Sequence, residues 1–493
     1  MKYILMLALL APIVYLALRQ KKWYLYLLFG LICFLPEQFA VQLHDKLPLI
    51  SATRLLILLV VGAWLLKCWK EKKLLLPVSI LCFLGLNLLI SCVNLQHGFD
   101  EVNRMFLFIF ERTLLVLAVT GLIENRQEVD RCVDFMILGC VAVSVIGIVQ
   151  IVFEYDIASV LHLVETAASA KVPDRMGLVR AYGTFNAIAF GCYCSIMLLL
   201  IYFRLENTKK QYYSAAFAVT FMAMFCTLTR SAWLCFAAIF FLLVVIRKGK
   251  PILRLLPSAG IAILLCLSLC LVQPKLYSAI VETGKSTFNT VISVLPPSLR
   301  PQRAPANTTD TPTDSPETPE EETTPNDDPY FELDKEFGLN ANAPINSRTQ
   351  QWSAMERMEE DGYLVFGYGY NAYPEGKIFY RRNADSPWQK AHAIDAGVVS
   401  LGTESGIVGL ATMIAFLGYM FIVSWLRRTR SKEFDYFKMM LYLIPMYGML
   451  NVASSFLHKP VVWLCFALFY ACHKLENAPC DKCLRLPLGK QRG

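Results

Sequence analysis

The chain has 493 residues, of which 56% are hydrophobic and only 17% charged, and it carries a net charge of +8. A soluble domain has about 45–50% apolar and about 25% charged residues, so an ordinary water-soluble fold is excluded. The basic residues sit in small clusters at the ends of apolar blocks, which argues against a nucleic-acid surface and for topology determinants.

About 20 apolar residues cross about 30 Å of hydrocarbon, and the apolar blocks here are of that order. Their continuous Leu, Ile, Phe and Val content predicts helices, because a barrel would alternate. In chain order the predicted spans are Tyr3–Leu18, Trp23–Phe39, Leu55–Leu66, Leu74–Val93, Met105–Ile123, Cys132–Phe153 and Phe185–Phe203. Then come Tyr212–Cys226, Ala232–Ile246, Leu255–Val272, Val398–Leu426 (with an external lead-in), Met439–Phe456 and Val461–Cys472. The expected fold is an all-α polytopic membrane protein with twelve or thirteen transmembrane helices and one large extracytoplasmic loop. The first block lacks a small-residue cleavage site, so it reads as an anchor.

The clusters Arg19–Lys22, Lys67–Lys73, Arg126–Arg131, Arg204–Lys210, Arg247–Lys250 and Arg427–Lys432 alternate with loops poorer in Lys and Arg. The positive-inside rule puts them in the cytoplasm, together with the tail that holds Lys474, Lys482, Arg485, Lys490 and Arg492. The expected organisation is N-terminal transmembrane helices over 1–153 and central ones over 154–272. An extracytoplasmic loop over 273–397, C-terminal transmembrane helices over 398–473 and a cytoplasmic tail over 474–493 follow. The expected location is the cytoplasmic (inner) membrane.

Within the long loop, Pro301–Pro329 is rich in Pro, Thr and acids and reads as a disordered tether. Phe331–Ala393 reads as ordered. Ser347 is placed to cap a helix carrying Trp352, Met355 and either Met358 or Glu359 at helical spacing, and Gly362 ends it. Leu364–Tyr370 reads as a short extended piece running into a glycine turn. The 16 cysteines lie mostly singly inside apolar blocks, as small hydrophobes, and the Cys480/Cys483 pair reads as incidental.

Polar residues in costly places mark the chemistry. Arg230 interrupts an apolar run at an external turn, Arg180 precedes the span at Phe185, Arg348 opens the ordered part of the loop, and His392 closes it. Arginine is always charged and forks onto phosphate oxygens, so two or three at the outer interface suit the pyrophosphate of a lipid-linked donor. A histidine near neutral pKa suits proton removal from an acceptor hydroxyl. Each has a plainer reading: an interfacial arginine ordinarily snorkels to headgroups, and a loop histidine is ordinarily solvated. Glu111 and Arg112, together inside a span, read as a structural pair. Gly367-Tyr368-Gly369 reads as a turn and Glu404 as a residue that caps or orients a helix start, with Tyr368 and Glu404 kept as secondary site candidates.

The stretches RAYGTFN (Arg180–Asn186), TLTRSAWL (Thr227–Leu234), NSRTQQW (Asn346–Trp352), VFGYGYN (Val365–Asn371) and AHAIDAGVVSLGTESGIVGL (Ala391–Leu410) occur in that order. In this composite, covering roughly residues 175–425, the chain resembles the O-antigen ligase and Wzy-type O-antigen polymerase superfamily of membrane glycosyltransferases. The acidic Pro/Thr insertion departs from the pattern. The resemblance implies a GT-C-like, inverting, metal-independent enzyme without a cofactor. Its partners would be membrane lipids, an undecaprenyl-pyrophosphate-linked glycan donor and a glycan, lipid or protein acceptor. By the same resemblance Arg180, Arg230 and Arg348 would face phosphate, and His392 would be the catalytic residue that activates the acceptor hydroxyl. The alternatives are a transporter or flippase of lipid-linked oligosaccharides and a non-catalytic envelope scaffold.

Overall fold

Apolar segments that cannot bond their peptide groups to water satisfy them internally, as helices. The chain is an all-α polytopic membrane protein of this kind. A computed structural model describes residues 11–17, 19, 22–35, 40–41, 50–94, 111–154, 178, 180–185, 187–208, 210–294, 351–369, 379–380, 389–390, 396–428, 436–454, 459–476 and 483–487. The helices are α1 (Trp23–Phe34), α2 (Ala52–Glu71), α3 (Val78–Asn94), α4 (Glu111–Leu122), α5 (Arg126–Phe153), α6 (Ala187–Thr208) and α7 (Gln211–Cys226). They continue as α8 (Arg230–Ile246), α9 (Lys250–Val272), α10 (Pro274–Val294), α11 (Ser353–Glu360), α12 (Gly397–Arg427), α13 (Tyr436–Ala453) and α14 (Pro460–Glu476). Among the described residues, five helices are long and apolar enough to cross a membrane: α2, α5, α6, α9 and α12.

Helix α6 is the centre of the bundle, buried from Ala189 to Leu205 among α5, α7, α8 and α13. Its small residues Gly191, Cys192, Cys194 and Ser195 admit close neighbours. Ser195 Oγ donates within α6 to the Gly191 carbonyl and reaches the Ala232 carbonyl of α8 at 3.2 Å. Helix α14 is buried in the same way against α4, α1 and α5. Helix α9 differs, exposing Ile263, Leu264, Leu267 and Leu271 on one flank, as a lipid-facing helix does.

At one end of the bundle the carbonyls left over where α4 stops are taken by lysines. Lys474 Nζ donates to the Thr120 and Ile123 carbonyls at 2.8 and 2.7 Å, Lys67 Nζ to Gly121 at 3.1 Å, and Lys22 Nζ to Leu122 at 2.7 Å. Cations there also complement the helix dipole. Lys67 donates to Glu124 as well, and with Lys22 nearby this holds the Glu124 carboxyl below its ordinary value. Arg204 meets Asp130 and Asp134, and Glu206 meets Arg247 and Arg254. This is the end that carries the basic clusters.

Three short antiparallel strand pairs accompany the helices: β1 (Ala40–Val41) with β2 (Ile50–Ser51), β3 (Lys73–Pro77) with β6 (Cys483–Pro487), and β4 (Phe379–Tyr380) with β5 (Gln389–Lys390). The β3–β6 pair trims the span expected to start at Leu74, which begins instead at Val78. Pro77 disfavours helix in the residue before it, and an apolar triplet suits a strand as well as a helix. The segment after α9 also differs from expectation, because it opens with the 21-residue helix α10.

Candidate functional site

The opposite end of the bundle gathers the motif residues. Arg180 lies in the turn that leads into α6, and a side chain from within α5 fixes that turn. The fully buried Gln150 accepts from the Tyr182 and Gly183 amides at 3.2 and 2.8 Å and donates to the Gly183 carbonyl at 2.9 Å. The Ala181 amide donates to the Cys226 carbonyl, at the end of α7, at 3.0 Å. The Arg180 turn is thereby joined to the Thr227–Thr229 turn that precedes Arg230, and Thr229 Oγ1 donates to the Ala187 carbonyl at 3.3 Å. Arg230 is the first residue of α8, and its Nη1 donates to Ser286 Oγ of α10 at 2.6 Å.

From Arg230 the contacts pass to α12. Ser231 Oγ lies 3.3 Å from Ser454 Oγ, just past α13. A Cβ at Gly397, the first residue of α12, would stand 2.6 Å from Asn451 Oδ1 and 3.2 Å from the Ser454 carbonyl oxygen. Arg180, Arg230 and the start of α12 therefore share one end of the bundle.

Helix α12 is broken at Gly406, whose φ of 66° and ψ of −168° are open only to glycine. The break frees backbone groups inside the protein, and the segment after α11 satisfies them. The Tyr368 and Gly369 amides donate to the Thr403 and Glu404 carbonyls at 2.8 and 3.0 Å, while the Ile407 and Val408 amides donate to Leu364 and Val365 at 3.0 and 3.1 Å. The approach is close enough that a Cβ at Gly406 would meet the Val365 carbonyl oxygen at 2.3 Å, and one at Gly367 would meet the Glu404 carbonyl at 2.5 Å. Leu364–Phe366 is thus a turn latched to a spanning helix, where the sequence pattern predicts an extended piece. Local sequence cannot announce a hydrogen-bonding partner some forty residues away. Gly362, at φ 79°, does end α11 as expected.

The two secondary candidates flank this latch. Tyr368 donates its phenol to Asp361 Oδ2 at 2.7 Å, and burial with that bond pushes the phenol well above its ordinary value. Glu404 lies in the last turn before the break, so it precedes the second half of α12 and does not cap the helix start. Its Oε1 accepts from Ser400 Oγ at 3.2 Å, while Oε2 is buried with no hydrogen-bond partner among the described residues. The Asn94 side-chain amide donates to the Phe366 carbonyl at 2.9 Å and ties α3 to the latch.

A small recess at this end, with room for about one water molecule, is lined by Leu35, Thr53, Phe185, Tyr193, Lys459 and Pro460, among others. Beside Thr53, Arg54 and Arg112 both approach Glu111, at 3.3 and 3.4 Å. The expected Glu111–Arg112 pair is therefore a trio.

A family model described as O-antigen ligase matches residues 215–414. That match covers less than half of the chain. No curated protein matches the chain. The matched segment runs from within α7 through Arg230, the latch at Gly367 and Gly406, and Glu404. Arg180 lies upstream of it, yet its turn is hydrogen-bonded to Cys226 inside the segment. His392, Arg348, Ser347 and Pro301–Pro329 fall within the matched segment but outside the described residues, and Cys480 lies beyond that segment and outside the described residues as well. Among the described residues, no group of three or more His, Cys, Asp or Glu side chains is placed to hold a metal ion. Sequence reasoning missed Gln150 and Ser286. The only signal for Gln150 was an amide side chain within an otherwise apolar block.

Proposed function

We propose that the chain is a membrane glycosyltransferase of cell-surface polysaccharide biosynthesis, using an undecaprenyl-pyrophosphate-linked glycan donor at the extracytoplasmic face of the cytoplasmic membrane. The observation that carries this reading is the convergence of the Arg180 turn, Arg230 and the start of α12 at one end of the bundle, in and beside the O-antigen ligase segment. That end lies opposite the basic clusters, which supports an external placement through the positive-inside rule.

Arg230 opens α8, where the helix dipole disfavours a cation and favours an anion. A bound pyrophosphate offsets that cost and is held by a fork of charged hydrogen bonds. Arg180 and Arg348 are the other two phosphate-facing arginines. His392 takes the proton of the acceptor hydroxyl as its oxygen attacks the anomeric carbon. The bond from that carbon to pyrophosphate breaks on the opposite side, the configuration inverts, and the arginines stabilise the departing charge without a metal ion. A second lipid-linked glycan as acceptor gives polymerisation. A lipid core, a wall polymer or a protein hydroxyl gives ligation.

The broken α12 is a feature that transporters share, since their interrupted helices expose backbone groups to substrate. Here loop 364–369 takes the amide and carbonyl groups on both sides of Gly406, which weighs against a transport site there.

The test uses purified wild type, His392→Ala and Arg230→Ala with the organism's lipid-linked glycan and a chelator, reading undecaprenyl pyrophosphate release and glycan size. Wild type is expected to release it while both variants, though present at normal levels in the membrane, are inactive. Full activity in both variants overturns the assigned roles, and an inactive wild type with verified substrates overturns the glycosyltransferase reading.

A further inference from the structure

Helix α10 has the length of a span, yet it is not among the helices apolar enough to cross. Two anchors fix its course. At its start, Gln273 Nε2 donates to Glu154 Oε1 at 2.8 Å and Lys275 lies 3.9 Å from the same carboxylate, which closes α5. Further along, Ser286 accepts from Arg230, which opens α8. Both anchors are helix termini at the site end of the bundle. The rise from Gln273 to Ser286 is about 20 Å, so α10 runs across the helix ends and does not pass between them.

At helical spacing α10 presents three arcs. Leu276, Ala279, Ile280 and Thr283 form the inner one, with Leu276 and Ala279 buried. Tyr277, Val281 and Phe288 form the second, where Tyr277 is 62% and Phe288 65% exposed. Lys275, Ser278, Glu282 and Lys285 form the third and are exposed. An exposed aromatic arc beside a charged one is the pattern of a helix lying at the headgroup boundary. Helix α9, which joins α10 through Gln273 alone, exposes Leu264, Leu267 and Leu271 in the same way. The bilayer that α9 faces is therefore the occupant that fits Tyr277 and Phe288.

We propose that α10 is seated in the plane of the membrane interface at the site end, with Tyr277 and Phe288 in lipid, and that Ser286 is a positioning residue holding Arg230 at the lipid surface. The seating is independent of the proposed function; the role of Ser286 rests on it, through the donor phosphate that Arg230 faces.

Seating is tested with a photo-crosslinking amino acid placed singly at 277, 288, 278 or 285 in full-length protein, reconstituted in phosphatidylethanolamine–phosphatidylglycerol vesicles. Lipid adducts are expected at 277 and 288 and not at 278 and 285. Protein-only adducts at 277 and 288, or equal lipid adducts at all four positions, overturn the seating. Positioning is tested by binding of undecaprenyl pyrophosphate, which needs no turnover. Ser286→Ala is expected to weaken binding about tenfold and Ser286→Thr to restore it, as loss of one bond to a charged group implies. Unchanged binding in Ser286→Ala, or no rescue by Ser286→Thr, overturns the positioning role. A wild type that does not bind the lipid pyrophosphate overturns that role together with the function of Arg230, while the crosslinks still decide the seating.

Discussion

The two ends of the bundle are fastened by different forces. At the lysine end, charge does the work: Lys22, Lys67 and Lys474 sit on the last carbonyls of α4, and Arg204 and Glu206 are each held between two oppositely charged side chains. At the site end, the Arg180 turn and the 364–369 loop are held by neutral groups, namely the Gln150 amide, the Ala181–Cys226 bond and the backbone bonds across Gly406. The contrast separates two roles that charged residues combine elsewhere. Removing a charge at the lysine end removes a fastening, whereas removing Arg180 leaves the bonds that fasten its turn in place.

The harshest way to break this comparison is at the latch. Gly406→Ala forces a side chain into a glycine-only conformation and against the Val365 carbonyl, with an expected cost of about 3 kcal/mol or more. Thermal unfolding in detergent measures it, and an unchanged melting temperature sinks the latch. Next in size, Gln150→Leu strips the Tyr182 and Gly183 amides of their buried acceptor and should cost about 2 kcal/mol. Arg180→Ala, which leaves the Gln150 and Cys226 bonds to its turn in place, should cost less than Gln150→Leu in the same assay. If Arg180→Ala proves the more destabilising of the two, the site end is fastened by charge after all.

The smallest effect sharpens the lysine end. The Glu124 carboxyl, held low by Lys67, titrates in the folded protein below its ordinary 4.5. Its stabilisation is therefore complete above that value and is lost as pH falls through the lowered one. Because Glu124 is half exposed, the contribution should be a few tenths of a kcal/mol and fade in salt. Melting of wild type and Glu124→Gln, compared from about pH 6 down to pH 3 at two salt concentrations, should show the gap closing as the carboxylate is protonated. A gap that widens on acidification contradicts the assignment.

What the sequence revealed followed the strength of each local signal. The block Val398–Leu426 and the helix Gly397–Arg427 nearly coincide, because a long apolar run has one reading in a bilayer. The break inside it was visible only as one glycine among several, since its cause is the loop that pairs with it. Helix α10 escaped notice because it is too polar for a span and reads as part of an external loop, although its residues are two-faced at helical spacing. Arg230 was legible as a charge in an expensive place. Its partner Ser286 was not, because a serine in a polar stretch carries no such mark.

The β3–β6 ladder has a consequence for biogenesis. Lys73 lies opposite Pro487 and Pro77 opposite Cys483, so a strand made early in synthesis waits for one made after every described helix. Until 483–487 emerges, the backbone edge of Leu74–Leu76 is unpaired, of the sort that invites wrong pairing. A chain interrupted before residue 483 keeps that edge open.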